Sequence, residues 1–160
     1  MRSLPLPKAP EAPYLYLSRV GLGPSSHRTL ANEKLIIAAL EPLGFEVVEG
    51  ETLSPGEQIA LLAQARVILG PVGSAFALSG LAAAGASIVE ILPPPAAHSW
   101  IFRSSANFEH LYGCVMAAVI PESQKDLNNF YVNRPNWFYT YQADPAIVAE
   151  IGQQAIQLST

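Results

Sequence analysis

The sequence contains a single cysteine, Cys114, among its 160 residues. One thiol excludes an internal disulfide framework and a cysteine-based zinc cluster. The three histidines, His27, His98 and His110, are not spaced as metal ligands with carboxylates or with that cysteine. A chain with no disulfide to form is typical of a reducing compartment, and we expect this protein to be cytoplasmic.

Charged residues are scarce as well, at 14% of the chain, and positive ones are the fewer. Nine Lys plus Arg stand against thirteen Asp plus Glu, which gives a net charge of −4. This balance predicts no basic face and therefore no nucleic acid as a partner. Hydrophobic residues make up 50% of the chain, which excludes a disordered tail and predicts one folded domain.

One long uncharged run, residues 67–89, has the length needed to cross a bilayer. Glycine, proline and serine recur through it, as in a buried strand, a glycine turn, a helix of small residues and a second strand. We therefore predict no membrane span. Residues 1–13 hold four prolines and no apolar run, so we interpret them as an extended arm or linker before a single domain over residues 14–160.

Strand and helix patterns alternate along that domain. Short apolar runs without polar alternation predict strands at Tyr14–Ser18, Phe45–Val48, Arg66–Leu69, Ser87–Leu92 and Leu111–Val119. Apolar periodicity and capping residues predict helices at Leu30–Leu43, Pro55–Ala65, Ser74–Ala84, Trp100–Phe108 and from Pro145 onward. The sequence therefore predicts an α/β fold, a Rossmann-like open parallel sheet of about five strands with helices on both faces.

Two loops of this predicted sheet carry chemistry that suits a phosphate. Gly70–Ser74 follows a strand and opens a helix, so its backbone N–H groups attract anions and its glycines admit a close approach. Arg19 and Arg28 flank the loop after the first strand, and two guanidinium groups suit a diphosphate. The same residues also fit a tight turn and solvated surface arginines, and the residues alone leave both interpretations open.

Aromatic side chains are concentrated near the C-terminus. Residues 130–141 hold six of them, with asparagines interleaved or adjacent. Rings beside amides can form a platform for a sugar, pack on the body of the domain, or face a missing domain. We favour packing on the body.

Six motifs follow one another along residues 14–94 with compatible spacing: Tyr16-Leu-Ser-Arg19, Arg28-Thr-Leu-Ala-Asn32-Glu33, Leu43-Gly-Phe-Glu-Val-Val48, Leu53-Ser-Pro-Gly-Glu-Gln58, Ala65-Arg-Val-Ile-Leu-Gly-Pro-Val-Gly-Ser-Ala75 and Ile88-Val-Glu-Ile-Leu-Pro93. In this order they resemble the family 61 glycosyltransferases. The resemblance implies a two-domain, B-type sugar transferase that uses a nucleotide-diphosphate sugar, usually UDP-linked, and no essential metal. This chain would be the C-terminal half, where the donor docks.

The resemblance also implies a donor site, carried over by position, while no residue is assigned as catalytic. Its residues are Arg19, Arg28, Asn32, Gly70, Gly73, Ser74, Ala75 and Glu90. The implied function is transfer of a hexosyl or pentosyl group to a saccharide acceptor in polysaccharide biosynthesis.

Two departures from the family keep an alternative open. Val72 stands where the family usually has histidine in a Gly-x-His-Gly-Ala loop, and valine can neither bind a phosphate nor carry a proton. A chain of 160 residues is too short for both halves, so we expect the acceptor half in a missing domain or a second copy of the chain. The alternative is a degenerate, non-catalytic module that docks a partner through its aromatic C-terminal segment.

Overall fold

The computed structural model describes residues 13–22, 28–96, 99–120 and 139–159. The strands in these ranges are β1 (Tyr14–Leu17), β2 (Arg28–Leu30), β3 (Glu46–Val48), β4 (Val67–Pro71), β5 (Ser87–Leu92), β6 (Leu111–Met116), β7 (Ala118–Val119) and β8 (Tyr139–Gln142). The α-helices are α1 (Glu33–Leu40), α2 (Pro55–Leu62), α3 (Trp100–Asn107) and α4 (Pro145–Leu158). Short 3₁₀ helices occupy Val20–Leu22, Glu41–Leu43, Gly50–Thr52 and Pro94–Ala96, and a longer one occupies Ser74–Leu81.

The main sheet has five strands in the order β3-β1-β4-β5-β6, and every neighbouring pair is parallel. Every residue of β4 and β5 is buried, as expected for central strands covered on both faces. This sheet confirms the predicted α/β fold with a Rossmann-like open sheet.

Helices cover both faces of the sheet, each over its own apolar cluster. On one face, α1 and α4 contribute Ile36, Leu40, Val148 and Ala155 against inward side chains of the strands. On the other face, α2, the Ser74–Leu81 helix and α3 contribute Leu61, Leu62, Phe76 and Ile101. Since strand side chains alternate between faces, neighbouring residues of one strand enter different clusters.

The predicted starts of α2 and α4 are confirmed, and each is defined by a capping residue close in sequence. Ser54 and Glu57 form the reciprocal capping box that opens α2, with Ser54 N–H donating to Glu57 Oε2 at 2.8 Å. Asp144 caps α4 by accepting from the Ala146 N–H at 2.9 Å. The helix predicted at Ser74–Ala84 is a 3₁₀ helix that ends at Leu81, because its serine and glycine residues are weak α-helix formers.

A second sheet, absent from the sequence-based expectation, has the order β2-β8-β7. The strand predicted at Leu111–Val119 is interrupted at Ala117, so β6 ends in the main sheet and β7 pairs antiparallel with β8. The helix predicted from Leu30 begins at Glu33, because residues 28–30 pair in parallel with β8. These pairings join segments far apart in sequence, which no local pattern reports.

None of the helices in the described ranges has both the length and the apolar composition that crossing a membrane requires. The uncharged run over residues 67–89 instead forms β4, a 3₁₀ helix and the first part of β5.

Candidate functional site

The order of the main sheet creates a switch point between β1 and β4. Among the strands of this sheet, β1 connects to β3 on one side and β4 connects to β5 on the other. In open α/β sheets, ligands bind beyond the C-terminal ends of the strands at such a point. The loop after Leu17 and the loop after Pro71 therefore meet at the expected position of a site.

Gly70 brings the two strands together at this point. A Cβ on Gly70 would lie 2.7 Å from the backbone oxygen and 3.3 Å from the backbone nitrogen of Leu17. The residue is buried within β4, so its glycine serves the approach of two backbones. The structure thus assigns this predicted donor residue a place in the framework beneath the site.

A cavity of about 440 Å³ opens beside the switch point. Its walls include Arg19, Arg28 and Asn32, three of the residues that the sequence predicts for the donor site, together with Glu33. Arg19 follows β1, Arg28 begins β2, and the other two lie at the start of α1. The fold therefore collects these side chains from three elements at one cavity.

The Arg19 guanidinium lies against the backbone of the Gly70–Ser74 loop. Its Nη1 occupies the space that a Cβ on Gly73 would need, so glycine at this position admits the arginine. The backbone of Gly73 is extended, with φ 177°, and other residues can adopt it. The absence of a side chain on Gly73 therefore leaves room for the Arg19 guanidinium in this position.

The electrostatic environment of Arg19 disfavours its own charge. Burial lowers the pKa of the Arg19 guanidinium, and the nearby charge of Arg28 lowers it further, while Tyr141, Glu33 and Glu51 act in the opposite sense. Arginine still remains charged at neutral pH. A bound anion would act in the same sense as Glu33 and Glu51 and favour the charged guanidinium.

The remaining predicted residues of the loop differ in their exposure. Ser74 and Ala75 are exposed at the start of the 3₁₀ helix, with Gly73 as its cap residue. Val72 is fully buried in the apolar cluster below α1 and α4, and its N–H donates to Ile91 O at 3.0 Å. The position that departs from the family pattern thus contributes packing to the core.

Asn32 has a structural function that its sequence position did not indicate. Its Nδ2 donates to Ala143 O at 2.7 Å, and its Oδ1 accepts from Ala143 N–H at 3.3 Å. The side chain makes no cap hydrogen bond to α1. These contacts tie the start of α1 to the segment before α4, and direct contact of Asn32 with a ligand stays a prediction.

Glu33 is a residue of the site whose role the sequence did not indicate. It is 6% exposed. Its Oε1 accepts from Arg19 N–H at 2.8 Å and from the Tyr16 hydroxyl at 3.3 Å, and the Ser18 hydroxyl also bonds this carboxylate. Burial raises the pKa of Glu33. These hydrogen bonds and the positive charge of Arg19 both lower that pKa in part. The position of Glu33 directly after Asn32, at the start of the apolar pattern of α1, was the available signal.

Glu90 lies inside the protein near the same charges. It is 0% exposed on β5, and its Oε2 accepts from the Tyr112 hydroxyl at 2.9 Å. Its Oε1 is buried without a hydrogen-bond partner among the described residues. Burial raises the pKa of Glu90, while the Tyr112 hydrogen bond and the charge of Arg28 lower it in part. Glu90 is thus linked electrostatically to the cavity through Arg28.

The buried Glu90 predicts a pH-dependent contribution to stability. A carboxyl with a pKa raised by folding stabilises the protein below its ordinary pKa, and this contribution is lost as the pH rises through the raised value. Glutamine does not titrate, so the variant Glu90→Gln does not lose this stability as the pH rises. We therefore expect Glu90→Gln to gain in melting temperature relative to the wild type as the pH rises. The difference between the two proteins should increase by several degrees from about pH 5 to about pH 8. A difference that stays constant in thermal melts over this range would contradict the prediction.

Other sequence predictions lie partly outside the described residues. Of the aromatic segment, Phe130, Tyr131, Trp137 and Phe138 lie outside them, while Tyr141 is fully buried in the core. That one ring packs on the body, and packing of the rest of the segment stays a prediction. His27 and His98 also lie outside, as do residues 1–12 of the predicted arm. Within the described ranges, His, Cys, Asp and Glu form no group of three or more that could hold a metal ion.

Comparison with known proteins gives one family-level match. A family model described as Glycosyltransferase 61 matches residues 1–89 of the chain, which is more than half of its length. The match covers β1 to β4 and the first part of β5, and so includes both loops of the switch point. None of the curated proteins compared with the chain matches it.

Proposed function

The chain belongs to the glycosyltransferase 61 family, and from this premise we propose that its switch-point cavity binds the diphosphate of a nucleotide sugar, UDP-linked, for transfer of the sugar to a saccharide acceptor. The observation that carries the proposal is the position of Arg19 and Arg28. Both line one cavity at the C-terminal edge of the sheet, and the charge of Arg28 is close enough to lower the pKa of Arg19. The proposed setting is a cytoplasmic step of polysaccharide biosynthesis.

The proposed contacts follow from the chemistry of the two groups. A guanidinium presents a planar fork of donors that matches phosphate oxygens, and two forks suit two linked phosphates. The backbone next to Gly73, at the start of the Ser74–Leu81 helix, adds N–H donors on the other side of Arg19. Arg19, Arg28 and the backbone next to Gly73 belong to three different segments of the fold. Donors from all three would hold the diphosphate in one orientation.

In the proposed reaction, these positive charges stabilise the leaving nucleotide. The oxygen of the acceptor hydroxyl forms a bond to the anomeric carbon, and the bond from that carbon to the β-phosphate oxygen breaks. UDP leaves with the electron pair, and the hydroxyl proton passes to a base that we leave unassigned. Because negative charge grows on the diphosphate as this bond breaks, fixed cations there stabilise the transition state more than the bound substrate.

Calorimetric titration of the chain with UDP, UDP-sugars, GDP-sugars and NAD tests the proposal. Saturable binding of UDP and UDP-sugars is expected. Binding of NAD alone, the result expected of a dinucleotide-dependent oxidoreductase, would contradict it. If a folded sample bound none of these ligands, the proposal would also be contradicted. That result would favour a non-catalytic module, the function class that the buried Val72 suits.

Replacement of Gly73 by alanine is expected to weaken UDP binding about tenfold and to leave the fold intact. The added methyl group would displace the Arg19 guanidinium, which is the mobile end of a long side chain, while the extended backbone accepts alanine. Titration gives the affinity and a thermal melt gives the stability. Gly50→Ala is a matched control, because a Cβ there meets no atom within 4 Å. Equal affinities for the two variants would show that Gly73 does not position the arginine.

A further inference from the structure

The backbone of Arg19 is fixed from three directions. Glu33 Oε1 accepts its N–H at 2.8 Å, and its carbonyl accepts from Leu22 N–H at 3.2 Å. The preceding residue, Ser18, donates its N–H to Val48 O at 2.8 Å, which continues the pairing of β1 with β3. Of these anchors, only Glu33 comes from α1, the helix that lines the cavity.

Glu33 joins the end of β1 to the start of α1 through three donors. The Arg19 N–H, the Tyr16 hydroxyl and the Ser18 hydroxyl all bond its carboxylate. A buried carboxylate is unfavourable for stability unless such donors surround it, and an apolar residue of the same size would fill the space without that penalty. The conventional cap of a helix start is absent here, since the Asn32 side chain bonds Ala143 instead. The arrangement therefore fits a function beyond starting the helix.

We infer that Glu33 is a positioning residue, which holds the backbone of Arg19 so that its guanidinium faces the bound diphosphate. This inference rests on the proposed function and deepens it, because it assigns the orientation of one phosphate contact to a residue that need not touch the ligand. The charge balance is consistent with it. The side chains that line the cavity carry more positive than negative charge, with Arg19, Arg28 and Lys34 against Glu33, so an anion is still attracted.

A double-mutant cycle on UDP affinity tests this. Glu33→Ala in the otherwise unchanged chain is expected to weaken binding about tenfold, because the backbone that carries the Arg19 side chain loses its hydrogen bond to α1. In the Arg19→Ala background the same change is expected to weaken binding less than about twofold, since no guanidinium remains to be positioned. A change of stability alone would act equally in both backgrounds. Additive losses would overturn the inference.

Glu33→Gln supplies a second arm, which can overturn the inference even if Glu33→Ala does not fold. Its amide oxygen can accept the Arg19 N–H, so UDP affinity within about threefold of the wild type is expected. A loss as large as that of Arg19→Ala would overturn the inference, because geometry is kept and only charge is removed. A folded wild type that does not bind UDP would overturn the proposed function itself. A wild type that binds, beside a folded Glu33→Ala that binds equally well, would overturn only the role of Glu33.

Discussion

Alanine at both Arg19 and Arg28 is expected to lower the affinity for UDP by a factor of about 100 or more, and each single replacement by about 10 to 100. Each arginine would contribute charge-assisted hydrogen bonds to a phosphate, which are worth about 1.5–3 kcal/mol apiece. The two side chains line the same cavity. Their losses should therefore couple, since the ligand can shift toward whichever arginine remains. Titration calorimetry of the two single variants and the double variant measures both quantities.

Arg103→Ala is the control for this experiment. Arg103 is exposed on α3, so its replacement changes the net charge by the same amount without touching the cavity. We expect it to alter UDP affinity less than about twofold, because an exposed distant charge is screened. If Arg103→Ala and Arg28→Ala weakened binding equally, the attraction would be a general effect of net charge. The assignment of the cavity as the diphosphate site would then be wrong.

Gly70→Ala is expected to destabilise the fold by about 1–3 kcal/mol. The new Cβ would lie 2.7 Å from the Leu17 carbonyl oxygen, and both partners belong to paired strands in the buried sheet. Neither backbone can move without breaking ladder hydrogen bonds. At about 2–4 °C per kcal/mol, the melting temperature should fall by several degrees.

Gly56→Ala is the matched control for that comparison. Gly56 lies in the first turn of α2, and a Cβ there meets no atom within 4 Å. Alanine is the better helix former, so this variant should be as stable as the wild type or slightly more stable. A melting temperature for Gly70→Ala equal to that of Gly56→Ala would show that β1 and β4 can separate without loss.

The local features of the fold were predictable from the sequence because they depend on neighbouring residues. Ser54 and Glu57 are close enough in sequence to identify a capping box, and the structure contains it. The apolar, non-alternating runs that became β4 and β5 predicted a parallel sheet, and the structure contains it. The helix predicted from Leu30 was wrong in its first turn, because pairing with β8 overrides helix propensity there.

The candidate site could be predicted in outline and not in its contacts. The arginines and the Gly70–Ser74 loop were identified as chemistry suited to a phosphate, and the fold places Arg19 against Gly73. Two of the predicted donor residues also make framework contacts that the sequence did not indicate: the Asn32 side chain bonds Ala143, and Gly70 leaves room for the backbone of Leu17. Glu33 was not given a role, since a glutamate at a helix start is ordinary in any sequence.

The sequence by itself determined the alternating strands and helices, the membership in a glycosyltransferase family, and the loops that carry cationic and glycine residues. These properties are local or additive along the chain. Only the tertiary structure decided that Arg19 and Arg28 share a cavity, that Glu33 holds the end of β1, and that a second sheet joins β2 to β8. Such contacts join residues that lie far apart along the chain, so they depend on the packing of the whole domain rather than on any local preference.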